Sequence, residues 1–427
     1  MQHSEPKAVR RNFVVNVTDG GFFGLGMGLS SFVTVIPLFI ATLTDSTVLI
    51  GLVGTLHVLG WQLPQLFTAN LVRRQRRYLP FVLRMTLQER WPYAGMAFVA
   101  LALALWGMDK TTALVLTFFF VILHSLGGGF TATAWQSMIG KIIPASFRGT
   151  FFGTQSGAAN LFSSGGSFIA GLLLVATPYP YNYALCFFLT FVAMMVSFGF
   201  LAVTHEDEHE PVVKTKRSEQ PFWSNLARIL REDGNFRTFL GARIISTFGT
   251  MAVAFYAIYA VREYSMDAAT AGLMASILTL AQTFASPIVG RLGDQYGHRL
   301  MFAAGNVLLG ISVLLAMNAP SLTWFYVVFA LAGAANSTNW TTILSITSEF
   351  GTDSERPFYI GLTNTLIAPA TLAAPIIGGL VVDMFGFQTM FMVALLAGLL
   401  AAGVLLWIMR DPRKYKREER LAVATGD

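Results

Sequence analysis

Apolar positions along this chain neither alternate nor keep to one helical stripe. They run on in blocks long enough to cross a lipid bilayer, where roughly 20 apolar residues rising 1.5 Å each span a hydrocarbon core about 30 Å thick. Such blocks lie at residues 13–42, 47–71, 79–107, 111–140, 150–176, 181–204, 236–262, 268–290, 300–317, 322–347, 357–382 and 387–409. The pattern predicts an all-α membrane protein of about twelve spans. The only long polar stretch between blocks, His205 to Asn235, divides the chain six and six. Inside it Phe222, Leu226, Ile229 and Leu230 recur at helical spacing opposite charged residues, which predicts an amphipathic helix at the inner membrane surface.

The two halves repeat. RGTFFG (148–153) matches RPFYIG (356–361), each just after the fourth helix of its half, and Trp135 and Trp340 occupy similar places upstream. Asn12-Phe13 and Asn235-Phe236 open the first helices, and Gly51 and Gly272 lie at similar points in the second. A duplicated six-helix unit accounts for all of these. The expected organisation is a bundle over 1–204, a linker with its amphipathic helix over 205–235, a second bundle over 236–409 and a basic tail over 410–427.

Composition agrees with a membrane class: 54% of residues are hydrophobic and 12% charged, against roughly 25% charged in a soluble domain. The net charge of +6 matters through its placement. With the N-terminus inside, about 24 of the 29 Lys and Arg fall on the cytoplasmic side. That asymmetry orients the chain with both termini cytoplasmic and removes nucleic acid as a partner. The single cysteine, Cys186, allows no intramolecular disulfide and no thiolate metal site. The first apolar block exceeds a signal-peptide core of about 7 to 15 residues and reads as a retained span.

The most specific text is GRLGDQYGHR, Gly290 to Arg299. Gly290 and Gly297 allow close helix approach and a tight turn, and Asp294 can accept hydrogen bonds from a helix N-terminus. With the parallel six-helix repeat, this resembles the major facilitator superfamily of secondary transporters, prokaryotic type, over nearly the whole chain. Pro375 to Phe391 resembles that family's passage from the eleventh to the twelfth helix. The resemblance implies two pseudo-symmetric bundles and a solute site between them near the membrane midplane. It also implies a cytoplasmic latch at Gly290, Asp294, Gly297 and Arg299, with Arg148 and Arg356 in the gating set. His298 replaces the first basic residue of the pattern. The first half departs further, with Arg73 where the acid would stand and no glycine in its loop. The fifth helix carries no proline of the antiporter signature, so no direction of transport follows.

The function so implied is secondary active transport of a small solute across the cytoplasmic (inner) membrane by alternating access, with protons as coupling ion, by a lipid-embedded monomer. The alternative is a transporter-like sensor or accessory subunit without turnover. Ionisable groups within spans are costly and mark candidates. Asp19 in the first helix and Arg243 in the seventh lie at similar depth with opposite charge, and are expected to face the central cavity as a pair or switch. The alternative is structural pairing near the cytoplasmic interface. Asn336, Asn339 and Trp340 in the tenth helix, with Trp135 and Gln136 in the fourth, break apolar text with amides and indoles. They suit solute contact or helix bridging. Arg84, Glu89 and Arg90 suggest an interfacial or kinked start to the third helix, ending at Pro92. Gly20, Gly24, Gly28 and Gly127 to Gly129 read as close helix packing.

HEDEH (205–209) satisfies the zinc-peptidase spacing, but follows the sixth helix at the edge of a polar loop, with Pro211 after it. No enzyme, metal site or cofactor is expected, and no phosphate-binding loop marks an ATP-driven pump.

Overall fold

A computed structural model describes residues 6–208, 222–352 and 355–413. All of its regular structure is helical. The first span is α1 (Pro6–Leu29) and α2 (Val35–Leu43), the second α3 (Thr47–Gln62) and α4 (Pro64–Val72), and the third α5 (Leu79–Arg90) and α6 (Pro92–Leu105). The fourth to sixth are α7 (Lys110–Ile142), α8 (Arg148–Ala176) and α9 (Tyr181–Ala202). The helix expected in the polar loop is α10 (Phe222–Glu232). The seventh span is α11 (Gly234–Thr250) with α12 (Ala252–Tyr264), followed by α13 (Ala268–Tyr296), α14 (His298–Met317) and α15 (Trp324–Thr347). The eleventh and twelfth run on as α16 (Arg356–Gly403), broken where Gly386 takes φ 82° and ψ 170°.

The breaks in the second and third spans fall at prolines. Pro64 and Pro92 open α4 and α6, where a missing N–H costs nothing because the first turn has no acceptor for it. Among the described residues seven helical runs are long and apolar enough to cross a membrane, the last holding two spans.

The chain forms two compact units: 1–144 with 158–213 and 360–365, and 145–157 with 214–359 and 366–427. The first packs α1 on α9, α7 on α3 and α5, and α6 on α9. Its core holds Phe39, Tyr93, Met96, Val121 and Phe187. The second packs α13 and α14 on α15 around Tyr256, Met274, Phe325 and Phe391.

Small residues let these helices touch backbone to backbone. A Cβ on Gly24 would fall 2.2 Å from the Ala159 carbonyl oxygen, and one on Gly28 2.0 Å from that of Ser163, so the expected packing role is realised between α1 and α8.

The sequence repeat reappears in hydrogen bonds. In the first unit Asn12 donates to the His205 carbonyl (2.8 Å) and accepts from its N–H (2.9 Å). In the second, Asn235 does the same with Arg410 (2.9 and 2.8 Å). Each asparagine therefore ties the start of its unit's first helix to the chain leaving the sixth. A second pair concerns the RGTFFG and RPFYIG segments. A Cβ on Gly153 would lie 2.2 Å from the Ser286 carbonyl oxygen, and one on Gly361 2.8 Å from that of Gln65. Both are glycine-permitted contacts at matching points of the repeat.

Candidate functional site

The acid of the GRLGDQYGHR segment meets a helix N-terminus, as its sequence predicts. The Asp294 carboxylate, near the end of α13, accepts the N–H of Gly149 (2.8 Å) and of Thr150 (2.6 Å), and the Thr150 hydroxyl (2.7 Å). Those N–H groups belong to the first turn of α8, which has no intrahelical acceptor for them. A carboxylate there also meets the positive end of the helix dipole. The approach depends on glycine: a Cβ on Gly290 would lie 2.0 Å from the Gly149 carbonyl oxygen. Gly297 takes φ 113°, a left-handed value suited to glycine, between α13 and α14.

A buried set of charges surrounds this contact. His298 Nε2 lies 3.4 Å from Asp294 and 3.6 Å from Glu349, and Arg413 reaches Glu349 at 3.6 Å and the Asp294 carbonyl at 3.0 Å. Burial pushes the Glu349 carboxyl above its ordinary range, against the opposing pull of His298, Arg413 and Arg148. Arg299 donates to the Met409 carbonyl, and Arg356 to that of Ser348 (3.3 Å).

The second cluster lies in the first unit, at the third helix, where the kinked form of the expected start is seen: α5 ends at Arg90 and Pro92 opens α6, with Glu89 8% exposed and Arg90 2%. The physical reason for this burial is the glycine run on α7. A Cβ on Gly127 would come 2.6 Å from the Glu89 nitrogen, and one on Gly128 2.9 Å from Glu89 Oε1, so α5 sinks onto α7. Asp19 accepts from the Ser197 hydroxyl (2.6 Å) and lies 3.6 Å from Arg90 Nη2. Its partners are thus within its own unit, on α5 and α9. Arg243 is buried in α11 of the second unit.

The amides and indoles of the fourth and tenth helices divide. Asn336 and Trp340, four residues apart on α15, share an exposed face, Trp340 at 48%. Asn339 turns the other way, buried toward Gly305 of α14, and neither polar atom of its amide finds a hydrogen-bond partner among the described residues. Gln136 is buried and Trp135 half-buried.

Two hydrogen-bonding groups of this cluster escaped sequence reasoning. Ser197 and Thr86, which hold Asp19 and Glu89, gave no signal beyond being hydroxyls in apolar text. Glu206 did stand out, inside HEDEH, for another reason. Its buried carboxylate accepts the N–H of Tyr78 (2.9 Å) and Leu79 (2.7 Å) and pairs with Lys141 (2.8 Å), capping α5. His209, the second histidine of that motif, lies outside the described residues, as do 210–221 and the tail beyond Arg413.

Comparison with known proteins fits this geometry. The model of the Major Facilitator Superfamily matches residues 87–261 and 238–425. An MFS-type transporter of Methanocaldococcus jannaschii is 28% identical over 183 residues, 42% of this chain and 47% of that protein. The tetracenomycin C resistance and export protein of Streptomyces glaucescens is 31% identical over 138 residues, 32% and 25% of the two chains. The chain thus spans less than half the length of these curated relatives. In structure it is similar to the fucose:proton symporter of E. coli, with TM-score 0.73, 14% identity and coverage of 92% of this chain and 97% of that one. Repeated six-helix halves, a glycine-seated acid on a helix N-terminus and a family match across most of the chain have one common source: this is a twelve-helix membrane protein of the Major Facilitator Superfamily, a family of transporters and not of enzymes.

Proposed function

We propose that the protein is a secondary active transporter that moves a small polar solute across the cytoplasmic membrane by alternating access, coupled to protons. The observation that carries this reading is the Asp294 latch. A carboxylate held by two N–H groups of α8 is an interaction that forms or breaks as a unit, which a two-state cycle requires. Solute contact is assigned to Asn336 and Trp340 on the exposed face of α15, with Asn339, Trp135, Gln136, Asp19 and Arg243 as supporting polar groups. The gating set is Gly290, Asp294, Gly297, Arg299, Arg148 and Arg356. The distribution of Lys and Arg supports cytoplasmic termini, and the protein acts as a monomer in lipid.

The test is a thermal-shift screen of the purified protein against a solute panel at two pH values, followed by flux of the stabilising solute into proteoliposomes. Saturable flux that responds to a pH gradient supports the reading. A sensor without turnover is the second reading, favoured by Arg73 standing where the first half would carry its latch acid. Binding without flux would select it.

A further inference from the structure

Two carboxylates and one guanidinium share a buried compartment of the first unit, and their charges do not balance. Arg90 is fully committed: Nε donates to the Met194 carbonyl (2.9 Å), Nη2 to the Ser197 hydroxyl (2.9 Å), and Nη1 to the carbonyl (3.3 Å) and hydroxyl of Thr86. Its guanidinium carbon lies 5.8 Å from the ring centres of both Phe23 and Phe198. Asp19 sits on the Nη2 side at 3.6 Å, its Oδ1 also accepting from Ser197. Glu89 sits on the Nη1 side at 3.8 Å, with one side-chain hydrogen bond, from Thr86 (3.2 Å). Inside a span a charge persists only when paired. One cation pairs one anion.

Among the described residues no other group supplies a second positive charge. Glu89 is faced by Asp19 from α1, Thr86 and Arg90 from its own helix, Tyr93 from α6, His124 from α7 and the Trp61 ring from α3, with His57 beyond His124. His124 Nδ1 lies 2.7 Å from the Glu89 carbonyl oxygen, so it must be the nitrogen carrying hydrogen. Its Nε2 meets the Tyr93 hydroxyl at 3.4 Å. Among the described residues no carboxylate comes within ion-pair distance of either histidine ring to hold an imidazolium. His57 stacks on Phe32 with ring centres 3.9 Å apart, and its Nδ1 is buried without a partner among the described residues.

We propose that Glu89 is a proton-binding site: the Asp19–Arg90 pair stays ionised, and the excess negative charge of the compartment is neutralised by a proton on the Glu89 carboxylate. The coupling proton then resides on the third helix within the first six-helix unit. Its coupling role rests on the transport reading above; its occupancy does not.

Infrared spectroscopy of the protein in lipid nanodiscs near neutral pH reads the occupancy directly, with no solute present. The expected result is a carboxylic-acid C=O band that shifts when glutamate, and not aspartate, is ¹³C-labelled at its side-chain carboxyl, and that is lost in Glu89→Gln and, because Glu89 then becomes the one anion paired with Arg90, in Asp19→Asn as well. A C=O spectrum that Glu89→Gln leaves unchanged, or a lost band that shifts with labelled aspartate and not with labelled glutamate, overturns the assignment. The unsubstituted protein gives a second readout, independent of whether either variant folds. Dicyclohexylcarbodiimide attacks protonated buried carboxyls, so mass spectrometry should find its adduct on Glu89, declining as pH rises and indifferent to replacing K⁺ by Na⁺. Adduct on Asp19 alone, or protection of Glu89 by Na⁺, refutes the proposal. Because both readouts omit solute, a flux indifferent to pH would defeat proton coupling while leaving the bound proton in place.

Discussion

Replacing Asp294 by Asn tests the latch with almost no change of shape. The carboxylate holds two backbone N–H groups, at 2.8 and 2.6 Å, and one hydroxyl at 2.7 Å. Hydrogen bonds to a charged acceptor contribute about 1.5–3 kcal/mol each. Asparagine keeps one acceptor oxygen, now neutral, and presents an NH₂ donor to the remaining donors. One charge-assisted N–H bond is lost and the other weakened, on the order of 2–4 kcal/mol in all. A loss of about 3 kcal/mol corresponds to a roughly 150-fold rise in local opening, since 1.36 kcal/mol is a factor of ten. The assay is amide hydrogen exchange of the peptide covering 145–157 in nanodiscs. Gly149 and Thr150 should exchange about two orders of magnitude faster in Asp294→Asn, while the α8 amides beyond Gly157 keep their rates. Unchanged protection at those two amides would refute the assignment of Asp294 as the cap of α8.

Other perturbations separate the remaining parts. Gly290→Ala puts a Cβ 2.0 Å from the Gly149 carbonyl oxygen, whereas a Cβ on Gly272 of the same helix meets nothing within 4 Å. Gly290→Ala should therefore destabilise the protein by about 1–3 kcal/mol or more and lower its melting temperature, and Gly272→Ala should not; equal melting temperatures would contradict the crossing. Glu206→Gln strips charge from a buried acceptor of two N–H groups and Lys141, and should cost on the order of 2–4 kcal/mol in thermal unfolding, a loss that Lys141→Met alone should not exceed. Glu349 gives a pH signature. Its folded-state carboxyl is raised above 4.5, so the stability it contributes is present below that value and is lost as pH rises through the raised one. Glu349→Gln should thus gain in melting temperature relative to the unsubstituted protein as pH climbs from 4.5, and a flat difference would count against the burial argument.

The spans, their number and the duplication were legible because a bilayer imposes a length and a composition on every helix, and because Asn12, Asn235, Gly153 and Gly361 survive at matching positions. The seat of Asp294 on the first turn of α8 was legible through Gly290, Asp294 and Gly297, whose types suit a close helix approach and a tight turn. What was not legible was partnership. Within its own unit Asp19 meets Arg90, because the Gly127–Gly128 step on α7 draws α5 inward. Depth follows from counting residues, but the face a helix presents depends on which neighbour has room for it. Likewise HEDEH carried a true signal in Glu206 under a misleading pattern: the acid serves a helix end in place of a metal.

A transporter moves its solute across the membrane, where a sensor only binds it. The most direct measurement is flux of the solute identified by the stability screen into proteoliposomes, with and without an imposed pH gradient, for the unsubstituted protein and Asp294→Asn. Saturable flux that the gradient accelerates and that Asp294→Asn slows is the expected outcome. Solute binding with no flux in either condition would contradict it.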